Sequence, residues 1–222
     1  MSEPMVPNVG NNLILVHRVV TRGLQVTIAR SRALAEEGVT DDASRAGLAD
    51  YVQSLATFLH AHHTVEDEIV FPVLRAYLPA APYATWARQH QAMMPLISRV
   101  RELVPAIRGD AAVAASQDLH RCAGRIEEGW HAHFKSEEEH LTPAAIAAAV
   151  PAAALGQLNE QIGAHNREHL QPDYLLMPFI LHNLSSDDRA QLARVLPPVV
   201  VNELVPGPWK EKWQPMAPLL LP

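Results

Sequence analysis

Histidine and glutamate recur in HAHHTVEDEIVFP (60–72) and again in HAHFKSEEEHLTP (131–143), two runs that share the layout His-Ala-His-x-x-x-Glu-acid-Glu-x-x-x-Pro. Each contains a His-x-x-x-Glu pair: His62 with Glu66, and His133 with Glu137. Residues four apart lie on one face of a helix, so both members of a pair can reach the same cation or adjacent ones. Imidazole nitrogen with carboxylate oxygen and no thiolate suits iron, with manganese or zinc as alternatives.

Four long segments with helical periodicity must position these groups. The first runs from about Asn11 to Glu37 and ends at Gly38. The second follows the cap region Thr40-Asp41-Asp42 and extends to about Leu78, where Pro79 and Pro82 stop it. The third spans about Pro82 to Arg108 before Gly109, and the fourth starts near Asp110 and ends before Pro143. Aromatics make up only 5% of the chain, and Val199–Val201 is its sole β-branched run, so strands are not expected. The fold class is all-α: an up-down-up-down four-helix bundle over residues 11–143. Residues 144–222, Ala-rich and punctuated by Pro, read as a helical extension packed on it, with shorter helices at 151–170 and 185–205.

Each segment carries an apolar stripe interrupted only by His or Glu: His17 on the first, His62 and Glu66 on the second, His90 on the third, His133 and Glu137 on the fourth. A lone core histidine is ordinarily a hydrogen-bonded core residue. Glutamate differs, because an ionised carboxylate buried without a partner costs several kcal/mol or is forced to stay protonated. Two such groups, each a turn beyond a histidine, require a compensating cation. Their depth agrees. The midpoint of His17 and His62 falls in the expected turn Gly38-Val39-Thr40-Asp41, that of His90 and His133 beside Gly109-Asp110, and that of Glu66 and His90 at Leu78-Pro79. All six donors therefore reach one level of the bundle. A closed structural zinc site takes four ligands, so six donors suit two ions better.

The bulk properties exclude other classes. A formal charge of −6 and no basic cluster argue against a nucleic-acid or anionic-membrane partner. Cys122 is the only cysteine, so no internal disulfide and no cysteine-rich zinc site can form. MSEPMVPNVG at the start lacks a basic-apolar leader pattern, and no apolar stretch reaches membrane-spanning length. A cytoplasmic protein is the expectation. No phosphate loop, Gly-x-Ser-x-Gly elbow or His-Glu-x-x-His run occurs.

With His17, HHTVEDEIVFP (62–72), His90 and HFKSEEEHLTP (133–143), the chain resembles the hemerythrin-like, or HHE cation-binding, family over residues 11–143. MPFILHNLSSDDRAQLARVLPP (177–198) is also similar to the tail of many bacterial hemerythrin-like proteins. The resemblance implies a left-handed bundle around two non-haem iron ions that handle dioxygen, peroxide or nitric oxide. It further implies that His17, His62, His90 and His133 are terminal ligands and that Glu66 and Glu137 bridge the irons. There are departures. Oxygen carriers of the family offer a His-x-x-x-His pair on the third helix, where Trp86 and Met94 flank His90 here, and place Asp at i+5 on the fourth helix, where Glu stands at i+4 here. The missing imidazole leaves an open position, expected to favour reaction with peroxide over reversible dioxygen binding. A ferritin-type site is less suited, since imidazoles lead carboxylates here.

Other candidates are weighed beside these. His63, about 100° around the helix from His62, is expected to be a surface or interhelix residue. Asp67, Glu68, Glu138 and Glu139 read as a solvated acidic face, and His60 and His131 as outer-sphere or solvent residues. His165-x-x-x-His169 has ligand spacing but suits an exposed amphipathic turn; whether it or His63 joins the site is left open. Tyr174 has no assigned place, and Cys122 reads as core. Three functions compete: a di-iron protein acting on peroxide or dioxygen, a non-catalytic module sensing or carrying oxygen or metal, and a metal-free scaffold. The implied ligand is a small diatomic molecule or peroxide; a protein partner is left open, without a residue pattern that indicates one.

Overall fold

A computed structural model describes residues 9–38 and 41–222. Residues 1–8, read above for a leader, and Val39 and Thr40 of the expected turn and cap lie outside the described residues. Helix α1 is Val9–Glu37 and α2 is Asp42–Val65, which passes through a π-turn, Glu66–Val70, into α3, Phe71–Leu74. Then come α4, Tyr83–Arg108, and α5, Ala112–His140. Asp41 caps α2 by accepting from the Ser44 amide at 2.9 Å, supplying a partner for one of the free first-turn donors. Helices α1, α2, α4 and α5 form the four-helix bundle, with α1 against α5, α5 against α4, α4 against α2 and α2 against α1. No strand occurs among the described residues, and none of their helices is long and apolar enough to cross a membrane.

The second helix departs from expectation. It does not run unbroken to Leu78, because Pro72 has no amide hydrogen and its ring crowds the carbonyl four residues back. The chain widens there, and the Phe71 amide donates to the Glu66 carbonyl in an i to i+5 bond. At the equivalent proline of the repeat, Pro143, the outcome is different: α5 ends at His140 and Thr142 caps a new helix, α6, Pro143–Ala149, accepting from the Ala145 amide at 3.1 Å.

The extension follows as α7, Ala152–His169, α8, Asp173–His182, and α9, Ser186–Ala193, the last capped by Ser185, which accepts from the Asp188 amide at 3.2 Å. Val200–Leu204 is a second π-turn rather than a strand, followed by α10, Lys210–Trp213, and a 3₁₀ segment, Gln214–Leu219. Helices α6 and α8 escaped the sequence pattern, since one is short and Ala-rich and the other apolar all round. The last segment lies along α2: Met216 is fully buried beside Ser54, and a Cβ on Gly47 would overlap the Pro215 carbonyl. Arg22 holds the Leu219 carbonyl at 3.1 Å, and the Leu221 amide donates to the His182 carbonyl at 2.8 Å.

The buried apolar residues divide into two clusters, one containing Val20, Leu59, Met93 and Trp130, the other Val9, Val70, Trp86 and Leu141. On every bundle helix the His and Glu positions fall between members of the two. A polar layer therefore separates two dry ones. Gly47→Ala is expected to lower stability by about 1–3 kcal/mol, because the added methyl must displace backbone. Gly124→Ala, whose Cβ would meet nothing within 4 Å, should be neutral or stabilising. Urea unfolding midpoints of the two variants check this.

Candidate metal centre

The π-turn sets Glu66 at the end of α2, and the regular last turns of α5 set Glu137 four residues beyond His133. Both carboxylates face inward, with Glu66 2% and Glu137 0% exposed. His17, His62, His90 and His133 are buried around them. His17 Nε2 lies 3.1 Å from Glu137 Oε2, and His133 Nε2 lies 3.3 Å from Glu137 Oε1. Glu66 Oε2 is 3.4 Å from His62 Nε2 and 3.5 Å from His90 Nε2, while His90 Nε2 and His133 Nε2 approach to 3.0 Å. Nitrogen and oxygen donors at ~2.0–2.1 Å from a cation are separated from one another by roughly this spacing.

Two four-donor groups result: His17, His62, Glu66 and Glu137, and Glu66, His90, His133 and Glu137, each within 4.8 Å among its donor atoms. Both contain both glutamates. His62 Nε2, both Glu66 oxygens and Glu137 Oε1 are buried without a hydrogen-bond partner. Buried polar atoms are seldom left this way, so the cluster fits a cation chemically as well as by distance.

Titration behaviour points the same way. Burial, then the nearby Glu137 and Asp67 charges, pushes the Glu66 carboxyl well above the usual range. Burial also raises Glu137, against the hydrogen bond from His17. Burial and neighbouring imidazoles drive His62 and His63 well down and His133 to about 3. His17 is pulled down by burial, but its bonds to Glu137 and Glu138 outweigh this and raise it. A neutral imidazole, the form that burial favours at His62 and His133, is a ready donor, and a cation would supply the positive counter-charge that buried carboxylates require.

A family model, the hemerythrin HHE cation-binding domain, matches residues 11–145 and again 81–196. The chain belongs to the hemerythrin HHE cation-binding family. The family is a cation-binding one, and the His/Glu groups of this helical bundle are built so that they could hold an ion. The two matches of the HHE domain start about one repeat apart, in keeping with the two copies of the His-x-x-x-Glu motif. Neither the curated proteins nor the solved structures searched gave a match.

Several neighbours of this HHE cluster depart from expectation. Asp67 and Glu138 are not merely a solvated face: Glu138 Oε1 accepts from His17 Nδ1 at 2.9 Å, and Asp67 Oδ1 stands 3.0 Å from His90 Nδ1 at ion-pair range without hydrogen-bond alignment. Gln89 Oε1 accepts from His133 Nδ1 at 3.0 Å. A proton held on Nδ1 leaves Nε2 free to bind inward. The repeat contained this signal, since Asp67 and Glu138 occupy its same acidic position. Glu68 and Glu139 are exposed, as expected.

Of the two places expected for it, surface or interhelix, His63 takes the interhelix one. It is 1% exposed, stacks on His90 at 4.1 Å, and forms a third donor group with His90 and His133. Its counterpart in the repeat is Phe134, which packs on His17 at 5.5 Å. Trp86 and Met94 do not replace the missing imidazole: Trp86 is fully buried and its indole donates to Ser136 Oγ at 3.1 Å. His165 is buried rather than exposed, stacked on the exposed His169 and 3.2 Å from Thr64 Oγ1, but neither joins a donor group. His131 is exposed, Cys122 packs part-buried on the core, and Tyr174 is exposed on α8 rather than folded over the cluster.

Asp67→Ala and Glu138→Ala are each expected to weaken metal binding about 10–100-fold while leaving the fold intact, since they free a ligand imidazole to turn. Competition with a chromophoric chelator measures this; unchanged affinity would return both residues to the solvated face. In chelator-treated protein a raised Glu66 pKa stabilises the fold below the ordinary carboxyl value of 4.5, a contribution lost as pH rises through the folded value. Glu66→Gln should therefore be more stable than wild type at pH 8 and lose that advantage toward pH 4 in urea unfolding.

Proposed function

We propose that the cluster is a di-iron centre that reacts with peroxide or dioxygen, with nitric oxide as a further ligand. His17, His62, His90 and His133 serve as terminal ligands, and Glu66 and Glu137 as the carboxylates between the two irons. The observation that carries this is the sharing of Glu66 and Glu137 by both four-donor groups. A carboxylate common to two sites is what a bridge requires. Nitrogen-rich donors favour iron over manganese, and six donors exceed a closed zinc site. Iron would supply the change of oxidation state.

The protein's own groups have distinct tasks. Glu138 and Gln89 hydrogen-bond the outer nitrogens of His17 and His133 and so orient them, while Asp67 faces the outer nitrogen of His90 at ion-pair range. The apolar layers above and below exclude water, so the charges inside interact strongly. His63, beside His90 and His133 with neither ring nitrogen hydrogen-bonded, can hold a proton at Nδ1 or Nε2 or serve as a further ligand.

The unit proposed for this chemistry is residues 11–143, with 144–222 as its helical extension. A cytoplasmic setting, with neither nucleic acid nor membrane as partner, accords with the charge of −6 and the single cysteine. A sensing role is the second reading, favoured by the His165–Thr64 contact, which joins the extension to α2 two residues from His62.

Metal analysis of protein loaded with ferrous iron is expected to give about two irons per chain, falling to background in Glu66→Ala with Glu137→Ala. Stopped-flow mixing should show one-way oxidation, faster with hydrogen peroxide than with dioxygen. A colour that forms with dioxygen and disappears under vacuum would overturn the peroxide preference. Iron binding without turnover of hydrogen peroxide would favour sensing.

A further inference from the structure

Of the four bundle seams, the one between α1 and α2 is packed least closely, and the C-terminal helices close over it. Between them lies a cavity of about 580 Å³. This is within the ~300–1,000 Å³ range of pockets that enclose a small organic ligand. Its wall follows α1 from Val9 to Val19 and the second helical segment from Phe58 to Val70. At about 1.5 Å per residue the space is therefore some 15–18 Å long. It is a channel, not a sphere.

The chemistry of the wall is mostly aliphatic: Leu13 and Val16 on α1, Ile162 on α7, Met177 and Ile180 on α8, and Leu196 beyond α9. Such a surface holds water poorly. Its two charged groups outside the cluster, Arg167 and Asp173, are exposed and of opposite sign, so they give no net preference for an ionic end group. Asn12 and Asn166 place carboxamides, which can both donate and accept, on the wall. Part-way along, the channel touches His62 and Glu66, the residues whose inward polar atoms have no hydrogen-bond partner.

We propose that this channel binds an elongated aliphatic molecule with an uncharged, hydrogen-bonding end group, and that the chain of this molecule passes beside His62 and Glu66. The length selects a chain over a compact ring, the wall selects hydrocarbon, and the amides select a neutral end such as an alcohol. That the occupant is a substrate of the centre rests on the di-iron reading above; that it binds does not.

Dodecan-1-ol is the probe. Gly163 lines the channel, and a Cβ there would meet only Arg167 Nη1, at 3.5 Å. Gly156 lies on the same helix away from the channel, and its Cβ would meet nothing within 4 Å. Leucine at Gly163 therefore fills the space from a tolerant position, and leucine at Gly156 is the matched control. Calorimetry follows binding to the full chain, with tryptophan fluorescence, to which Trp209 on the channel wall contributes, as a second readout. Expected is saturable 1:1 binding by wild type and Gly156→Leu, at least tenfold weaker in Gly163→Leu, with all three giving the same circular dichroism. No saturable binding by wild type up to the solubility of dodecanol, or equal binding by all three, would overturn it. Iron content measured on the same samples separates the two ideas. Dodecanol binding without iron sinks only the di-iron reading, and iron without dodecanol binding sinks only this one.

Discussion

Two carboxylates in the dry middle of a helical bundle are the constraint around which the rest is arranged. Removing Glu66 and Glu137 from water costs far more than any single packing contact returns, and the hydrogen bonds offered to them leave three of their four oxygens wanting. The protein surrounds them with imidazoles, whose ring nitrogens are good at sharing a cation. Long apolar stripes on four helices then hold those imidazoles at one height. A bound cation would supply the positive charge that these buried oxygens lack.

Much of this was legible in the residues because helical geometry turns spacing into position. His17, His62, His90 and His133 could be placed at one depth from the turn positions alone, and the side chains do converge. What escaped depended on facts that spacing does not carry. The widening at Glu66–Val70 arises from a clash specific to Pro72, whereas the equivalent Pro143 simply begins a new helix. The spacing leaves His63 either on the surface or between helices, because a rotation of about 100° does not say which. In a bundle with neighbours on both sides, that rotation leads to the next helix, and His63 meets His90 there. Asp67 and Glu138 resembled a charged surface because their acidic neighbours form one.

The extension shows where pattern reading weakens. Its helices are short, and their positions are set by tertiary docking, not by a strong stripe of their own. The Gly47–Pro215 approach, the buried Met216 and the Arg22–Leu219 contact hold the end of the chain along the bundle. None of these has a local signature. Together they close a seam that a bare four-helix bundle would leave open.

The exchange of His63 for Phe134 between the two copies of the repeat has one more consequence. In an otherwise twofold layout, one half has an additional nitrogen base and the other a phenyl ring. Were the cluster to take the two cations proposed above, they would be distinguishable, and a heterometallic pair would have a built-in polarity, the metal with the greater appetite for nitrogen favouring the side of His63, His90 and His133.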